Sequence, residues 1–487
     1  MASMWGTLGI TNTGERPEVF IGSKVGLKAT DLKDGFISAL DNYYSCDNPE
    51  YVRRVRLGLW TGNTSPKICM VERKGDWLHI PYGFRWLAET ENRDCFSQLN
   101  YCFLEKETYD YGSNIELYDY QQKALDSALA SHEKYPYGVI VAPCGSGKTQ
   151  IGLELAAKLG GKTLWLTHTK DLLNQSMVRA KAAFEGLSEK EFGTITDGKV
   201  DIGSVITFAT VQTMAKLDLS EYSNYWDVVI VDECHHICGG PTKLQQFWKV
   251  ISSLNVPCKF GLTATPKRSD GLTKCMFALL GPKVAEITAE EIAQKRCPVR
   301  VRFYGTAYYP KDVLKVTNPD GTFNYTNYIS DLCEDQERNE KIIDCVWDIV
   351  ASGENCLILT DRQAHAIALS SMLDEIGINR HCVILGSTSG KIRDGLLESM
   401  KTGKNDVMIS TFQLAKEGLD IPNLRNVLFA TPQKNETTII QAAGRVARTY
   451  PGKDHGTVWD CNDFSAPLFS DWPKRRLSIY KRNNFLV

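Results

Sequence analysis

Gly138-Val139-Ile140-Val141-Ala142-Pro143-Cys144-Gly145-Ser146-Gly147-Lys148-Thr149 is the stretch whose reading decides the fold of this 487-residue chain. The apolar run has the composition of a buried strand, the glycine-rich segment that of a tight loop, and a helix is predicted to begin near Lys148. Backbone N–H groups of such a loop point at phosphate oxygens, and the helix N-terminus favours negative charge. Lys148 is therefore expected to reach the β- and γ-phosphates of a nucleotide, and the Thr149 hydroxyl to bind Mg²⁺. The usual pattern has a first glycine where this chain has Ala142; Gly145 and Gly147 keep the turn. Pro143, Cys144, Gly145, Ser146, Gly147, Lys148 and Thr149 form the predicted phosphate cradle.

Outward from that loop, short runs of Val, Ile and Leu recur between polar segments from about residue 118. The first series is Gly138–Ala142, Thr163–Leu166, Val205–Phe208, Val228–Val231 and Phe260–Leu262. The second is Cys356–Leu359, Cys382–Leu385, Val407–Ile409, Val427–Phe429 and Val458–Trp459. Strands alternating with helical stretches predict an α/β chain with two tandem doubly wound lobes. Residues 1–113 differ, being rich in aromatics and Gly/Pro turns. Trp77–Ile80 reads there as a strand beside the turn Lys74-Gly75-Asp76. The expected division is a small α+β or β-rich accessory domain over 1–113, a first lobe over 114–297 and a second over 298–487. Residues 308–335, with Asn318-Pro319-Asp320-Gly321, are expected to form a hairpin or loop on the second lobe.

Asp232-Glu233 ends the run Val228–Val231. A carboxylate at a strand end beside a phosphate loop is placed to hold Mg²⁺, and its neighbour to orient an attacking water. Asp232 is assigned to the metal and Glu233 to the water. Cys234-His235-His236-Ile237-Cys238 lacks a second Cys/His pair of suitable spacing, so zinc is disfavoured and Cys234 reads as packing. Arg445 and Arg448 are three apart, on one face if helical. Such cations can stabilise charge on a γ-phosphate. A plain solvated face is the alternative. Gln441 lies one turn upstream.

With these motifs quoted, the chain resembles the superfamily 2 helicases, in the DEAH-like group that includes phage UvsW, XPB and the motor subunits of type I and type III restriction enzymes. The resemblance covers residues 118 to about 460. Tyr120-Gln121 resembles the adenine-contacting element, Thr167–Asp171 motif Ia, and Ala209–Gln212 the following strand-binding motif. Thr263-Ala264-Thr265 resembles the element that couples hydrolysis to movement. Ser410-Thr411 with Glu417–Pro422 resembles motif V, which adds Gly418 and Asp420 to the nucleotide contacts. Gln441–Arg448 resembles motif VI. Asp335, Arg338 and Asn339 fit the same group. The resemblance implies two RecA-like lobes, Mg·ATP as cofactor, and hydrolysis carried by Lys148, Asp232, Glu233, Gln441, Arg445 and Arg448. It also implies a strand of nucleic acid tracked by Thr169, Lys170, Thr210, Gln212, Arg362 and Thr411. Movement would run 3′ to 5′, on DNA rather than RNA, in phage or mobile-element replication, recombination or repair. The rival readings are a motor serving a restriction nuclease, an RNA helicase, and an ATP-switched clamp that separates no strands.

Composition constrains the rest. Hydrophobic residues make up 43% and charged residues 23%, a globular profile, and no run of about 18 apolar residues predicts a membrane span. The 15 scattered cysteines read as reduced thiols, which with the absence of a signal-like N-terminus implies a cytosolic protein, expected as a monomer. A net charge of −2 neither requires nor excludes a DNA partner. Locally, Arg53-Arg54-Val55-Arg56 near Trp60, then Arg73-Lys74 and Trp77, interleave cations with aromatics as nucleic-acid surfaces do. Trp60 as a core residue is the alternative. Lys474-Arg475-Arg476 and Lys481-Arg482 read as a basic face near the groove or as solvated charge.

Overall fold

The computed structural model describes residues 15–90, 93–105, 108–109, 111–132, 134–143, 145–240, 245–268, 270–293, 295–416 and 419–487. The chain divides into two compact units, Met1–Ile287 and Thr288–Val487.

An eight-stranded sheet organises the first unit. Its strand order is Lys199–Asp201, Phe192–Thr196, Ile206–Thr210, Thr163–Thr167, Val228–Val231, Cys258–Thr263, Gly138–Val141 and Lys283–Glu286. Every neighbouring pair is parallel except the edge hairpin of Phe192–Thr196 with Lys199–Asp201. Val228, Val229, Ile230 and Val231 are all fully buried, as expected of β-branched residues on a strand covered on both faces. Cys258–Thr263 lies between the strands that lead to Asp232 and to the phosphate loop, so three C-terminal strand ends stand side by side. Backbone bonds extend this alignment past the strands: Asp232 N donates to Leu166 O and Ala142 N to Thr263 O, both at 2.9 Å. In open α/β sheets ligands bind in the crevice at such strand ends. The helix Lys148–Leu159 lies close to the sheet because residue 152 is glycine; a Cβ there would come within 2.6 Å of Leu262 and 2.8 Å of Trp165.

Residues 15–113 carry a β-rich part, as expected. Its five strands run in the order Glu72–Lys74, Trp77–Ile80, Val25–Lys28, Val19–Ile21 and Leu99–Tyr101. The turn between the first two uses Gly75 at φ +56°, a conformation that costs glycine little. Alternation puts Val19, Ile21, Val25, Leu27, Leu78 and Ile80 on one fully buried face. That face belongs to the same hydrophobic core as Val139, Leu164, Val229 and Leu279 of the large sheet. Arg85 secures the junction. Fully buried, it donates to Pro257 O (2.9 Å) and Tyr135 O (3.0 Å), pairs with Glu89 (2.7 Å) and lies 4.2 Å from the Tyr137 ring centroid.

The second unit carries a six-stranded, wholly parallel sheet ordered Val299–Gly305, Gly456–Asn462, Asn426–Phe429, Cys356–Thr360, Val407–Thr411 and His381–Ile384. The expectation of a hairpin or loop over 308–335 needs correcting. A bridge between Thr317 and Phe323 encloses the turn, but Tyr325–Glu334 is a helix. Asn324 caps it by accepting from Asn327 N at 3.1 Å, and Tyr328, Ile329, Leu332 and Cys333 bury one helical face. Arg476 also departs from the basic-face reading: it is fully buried and pairs with Asp460 at 2.7 Å. Arg338 and Asp463 form a second wholly buried pair at 2.8 Å. Among the described residues no helix is long and apolar enough to cross a membrane.

Candidate functional site

The phosphate loop turns through Gly145 (φ +83°) and Gly147 (φ +81°) before Lys148 opens the helix. Cys144 lies outside the described residues. Ser146 is fully buried, and its carbonyl accepts from Gln121 Nε2 at 2.7 Å, while Gln121 Oε1 accepts from Tyr118 N at 2.8 Å. Gln121 thus braces the loop from behind. A Cβ at position 147 would lie 2.2 Å from Gln121 Nε2, so only glycine fits that brace.

Lys148 Nζ stands 3.6 Å from Glu233 Oε1, and Glu233 Oε2 stands 3.2 Å from His235 Nδ1. His235 Nδ1 is 3.1 Å from Thr263 Oγ1, which in turn accepts from Thr265 N at 3.2 Å. One continuous line therefore joins the loop lysine, the strand-end carboxylate, the histidine and the Thr263–Thr265 element. Glu233 adopts a left-handed backbone (φ 49°, ψ 49°), rare for a non-glycine residue and held here by the surroundings. That bend turns its carboxylate toward Lys148 while its N–H donates to Asp232 Oδ1 at 3.0 Å.

The electrostatics of the pair are asymmetric. Burial, then the charge of Glu233, pushes the Asp232 carboxyl up to about 6, against the pull of Lys148. Burial also disfavours the Glu233 charge, but Lys148 and His235 outweigh it and hold that carboxyl well below the usual range. A buried carboxylate short of positive charge, with a hydroxyl in the same site, is the oxygen donor set a hard divalent cation takes. Asp232 and Thr149 therefore fit Mg²⁺. Arg179 Nη1 now donates to Thr149 Oγ1 at 3.2 Å, and its charge also acts on Asp232. Sequence reading missed Arg179, since a lone arginine mid-helix carries no motif. His168, inside the Thr167–Asp171 motif but given no role there, packs its ring 3.9 Å from that of His236, and burial lowers it to about 4. Cys234 is buried with Sγ 3.3 Å from Met276 Sδ.

The strand-tracking candidates lie at the C-terminal ends of interior strands in each sheet. Thr169 caps the helix Lys170–Ala183 by accepting from Leu172 N at 3.3 Å, and Lys170 pairs with Asp197. Gln212 is exposed and donates to His168 O at 2.7 Å, which ties the two neighbouring strand ends together. Thr210 points inward, its hydroxyl bonded to Thr213 at 3.1 Å, so it offers no surface contact. In the second unit Thr411 ends the strand Val407–Thr411 opposite Thr360, Arg362 follows Thr360 by two residues, and Arg362 donates to Thr326 O at 3.2 Å.

Gln441 lies in the helix Glu436–Ala443 and is largely buried. Arg445 and Arg448, on one face if helical, lie past the end of that helix at Ala443, where i→i+3 bonds from Arg445 N to Ala442 O (3.2 Å) and Ala447 N to Gly444 O (3.3 Å) tighten the chain. Such turns still keep residues three apart on one side. Arg445 donates to Leu419 O at 3.0 Å and to Ala415 O, and Arg448 pairs with Asp420. Gly418 lies outside the described residues. Asp335, Arg338 and Asn339 are structural: a helix cap, a buried ion pair, and a bridge from Cys333 O (2.8 Å) to His365 (2.9 Å).

Comparison with known proteins agrees with this layout. Residues 114–268 match the family described as the type III restriction enzyme res subunit, and 337–450 match the helicase conserved C-terminal domain. A protein of Acanthamoeba polyphaga mimivirus, L396, whose name carries the words ATP-dependent RNA helicase, is 26% identical over 90% of this chain and 79% of its own length. The DNA 3′-5′ helicase XPB of Mycobacterium tuberculosis is 29% identical over 63% of this chain and 53% of its own. The chain thus spans about half of that relative. Among solved structures, an HsdR fragment from Vibrio vulnificus superimposes with a TM-score of 0.55 at 17% identity, covering 77% of this chain and 68% of that one. Dbp5 of Saccharomyces cerevisiae bound to RNA gives 0.52 at 16%, covering 76% and 89%. These two share the tandem RecA-like fold. With a restriction-motor match over the phosphate loop and strand-end carboxylates, and a helicase C-terminal match over the second parallel sheet, the chain belongs to the superfamily 2 helicases, ATP-hydrolysing enzymes of nucleic acid.

Proposed function

We propose that the chain is an ATP-driven DNA motor that steps 3′ to 5′ along one strand, acting in the replication, recombination or repair of a viral or mobile-element genome inside the infected cell. The observation that carries this reading is the unbroken line from Lys148 through Glu233 and His235 to Thr263 and Thr265. A change at the γ-phosphate alters the Lys148–Glu233 contact first, and the line transmits it to the segment that follows Thr263. In this reading Lys148 and the loop amides hold the phosphates, Thr149 and Asp232 hold Mg²⁺, and Glu233 and Gln441 orient the water. Bound Mg²⁺ would neutralise phosphate charge. Arg445 and Arg448 are the cations assigned to the charge of the γ-phosphate. Thr169, Lys170, Gln212, Arg362 and Thr411 take backbone phosphates, which fix position without reading sequence. The domain limits proposed are 1–113, 114–297 and 298–487.

Support for DNA and for direction comes from relatives named DNA 3′-5′ helicase and DNA 3′-5′ translocase. Support for a viral setting comes from the mimivirus, filamentous-virus and phage T5 relatives. The test is steady-state ATPase against no polymer, single-stranded DNA, duplex DNA, forked DNA and RNA, with Lys148→Ala as control. Stimulation by DNA, lost in Lys148→Ala, is expected. Stimulation by RNA alone moves the protein to the RNA helicases, and full turnover in Lys148→Ala overturns the site.

A further inference from the structure

Residues 48–66 form an arm that the nucleotide site does not use. It leaves and rejoins the body through a two-stranded ribbon, Ser45–Asp47 with Lys67–Cys69. Buried Asn48 closes its neck: its N–H donates to Pro66 O and its Nδ2 to Ser65 O, both at 2.9 Å, while its side chain caps the helix Pro49–Arg56. Arg54 then latches the tip, donating to Glu50 Oε1 at 2.8 Å and to Trp60 O at 3.2 Å. The arm is therefore held in one shape. Yet its helix buries none of its residues, and Val52, Val55, Leu57 and Leu59 are each more than half exposed. Trp60 is 85% exposed, one side of its ring lying over Gly62, where a Cβ would come within 2.9 Å. The core alternative for Trp60 is thus excluded.

Five exposed apolar side chains within nine residues of a braced element mark a contact site. Charge says what for. Over residues 48–67 the chain has Arg53, Arg54, Arg56 and Lys67 against the single acid Glu50, in a protein whose net charge is −2. Cations flanking an apolar or aromatic tip are what nucleic acid takes: the cations meet phosphates, and the tip stacks on or wedges between bases. The base of the arm also touches the segment after the carboxylate motif. A Cβ at Gly240 would lie 2.9 Å from Ile68, and Lys274 donates to Ser45 O at 3.3 Å.

We propose that the Trp60 arm is a strand-separating wedge whose substrate is a junction between duplex and single-stranded nucleic acid. Trp60 and Leu59 stack on the terminal base pair, and Arg53 and Arg56 hold the phosphates beside it. This inference rests on the nucleic-acid-motor reading above. It assigns that motor a branched substrate.

The experiment uses the full chain, a forked DNA duplex with 2-aminopurine at the junction, an RNA fork in parallel, and the exposed-site variants Trp60→Ala and Arg53→Glu/Arg56→Glu. Wild type is expected to raise 2-aminopurine fluorescence on binding without ATP. Trp60→Ala is expected to lose that rise and to unwind the fork about 5- to 150-fold more slowly, the range of one lost base–aromatic stack at about 1–3 kcal/mol. Its single-strand-stimulated ATPase should stay within about twofold of wild type. Wild-type ATPase stimulated by nucleic acid, with both variants matching wild type at the fork, overturns the wedge alone and leaves the surface to a protein partner. Loss of single-strand stimulation together with unwinding also overturns it, making the arm a general strand contact. A wild-type ATPase indifferent to every nucleic acid removes the motor reading, and the wedge with it.

Discussion

Asp232→Asn should make the metal-free, nucleotide-free protein more stable while abolishing hydrolysis. Burial and the neighbouring Glu233 raise the Asp232 carboxyl from 3.8 to about 6. A carboxyl raised on folding binds its proton more tightly in the native state, so native stability falls as pH rises from about 4 to about 6 and is level above that. The difference of roughly two pH units corresponds to about 3 kcal/mol lost at pH 7.5, at about 1.4 kcal/mol per unit. Asparagine keeps the acceptor that takes the Glu233 N–H and has no proton to lose. The variant should therefore exceed wild type by about 3 kcal/mol at pH 7.5 and by only about 1 kcal/mol at pH 4.5. The assay is urea denaturation at both pH values, reading the transition that nucleotide shifts in wild type. Adding Mg·ATP should stabilise wild type and narrow or reverse the gap, because the cation supplies the charge the buried pair lacks. A variant no more stable than wild type at pH 7.5, or one whose advantage is equal at both pH values, refutes the reasoning.

Arg85→Ala should cost about 3–5 kcal/mol in denaturant melts, because Glu89 would lose its cation, keeping the Tyr101 and Tyr137 hydroxyls, and the carbonyls of Pro257 and Tyr135 would lose their donor. Gly152→Ala should lower stability by about 1–3 kcal/mol through overpacking on Leu262 and Trp165, and thermal melts showing no loss would contradict the close helix–sheet approach. Asn324→Ala should cost about 1 kcal/mol, read in urea melts, by removing the cap of Tyr325–Glu334. Arg445→Ala should slow DNA-stimulated hydrolysis by about a thousandfold or more with ATP affinity changed far less; equal losses in both would move Arg445 from phosphate chemistry to binding.

The phosphate loop and the carboxylates were legible because each joins a buried strand to a polar turn at a fixed offset, a pattern few other structures need. Strand runs were legible for the same reason: Val228–Val231 is apolar at every position because both faces are covered. What stayed hidden depends on partners distant in sequence. Nothing around Arg85 signals that the carbonyls of Pro257 and Tyr135 will accept its hydrogen bonds. Arg476 sits among solvated cations in sequence and beside Asp460 in space. The helix Tyr325–Glu334 was obscured by the turn residues just before it, whose local chemistry is stronger than a ten-residue helical period. Edge strands such as Lys199–Asp201 have no apolar run to reveal them, since all three residues are exposed.

The core shared by the two sheets of the first unit has a consequence for how such a protein can change over generations. Val19, Leu27, Leu78 and Ile80 are packed within the same interior as Val139, Leu164 and Val229. A small domain tethered by a linker can be gained, lost or exchanged by a single recombination at the tether. A small sheet that completes its neighbour's interior cannot: removing it would open apolar surface on the lobe, and a foreign replacement would have to match that surface residue for residue. The N-terminal sheet and the motor lobe should therefore be inherited together and diverge as one.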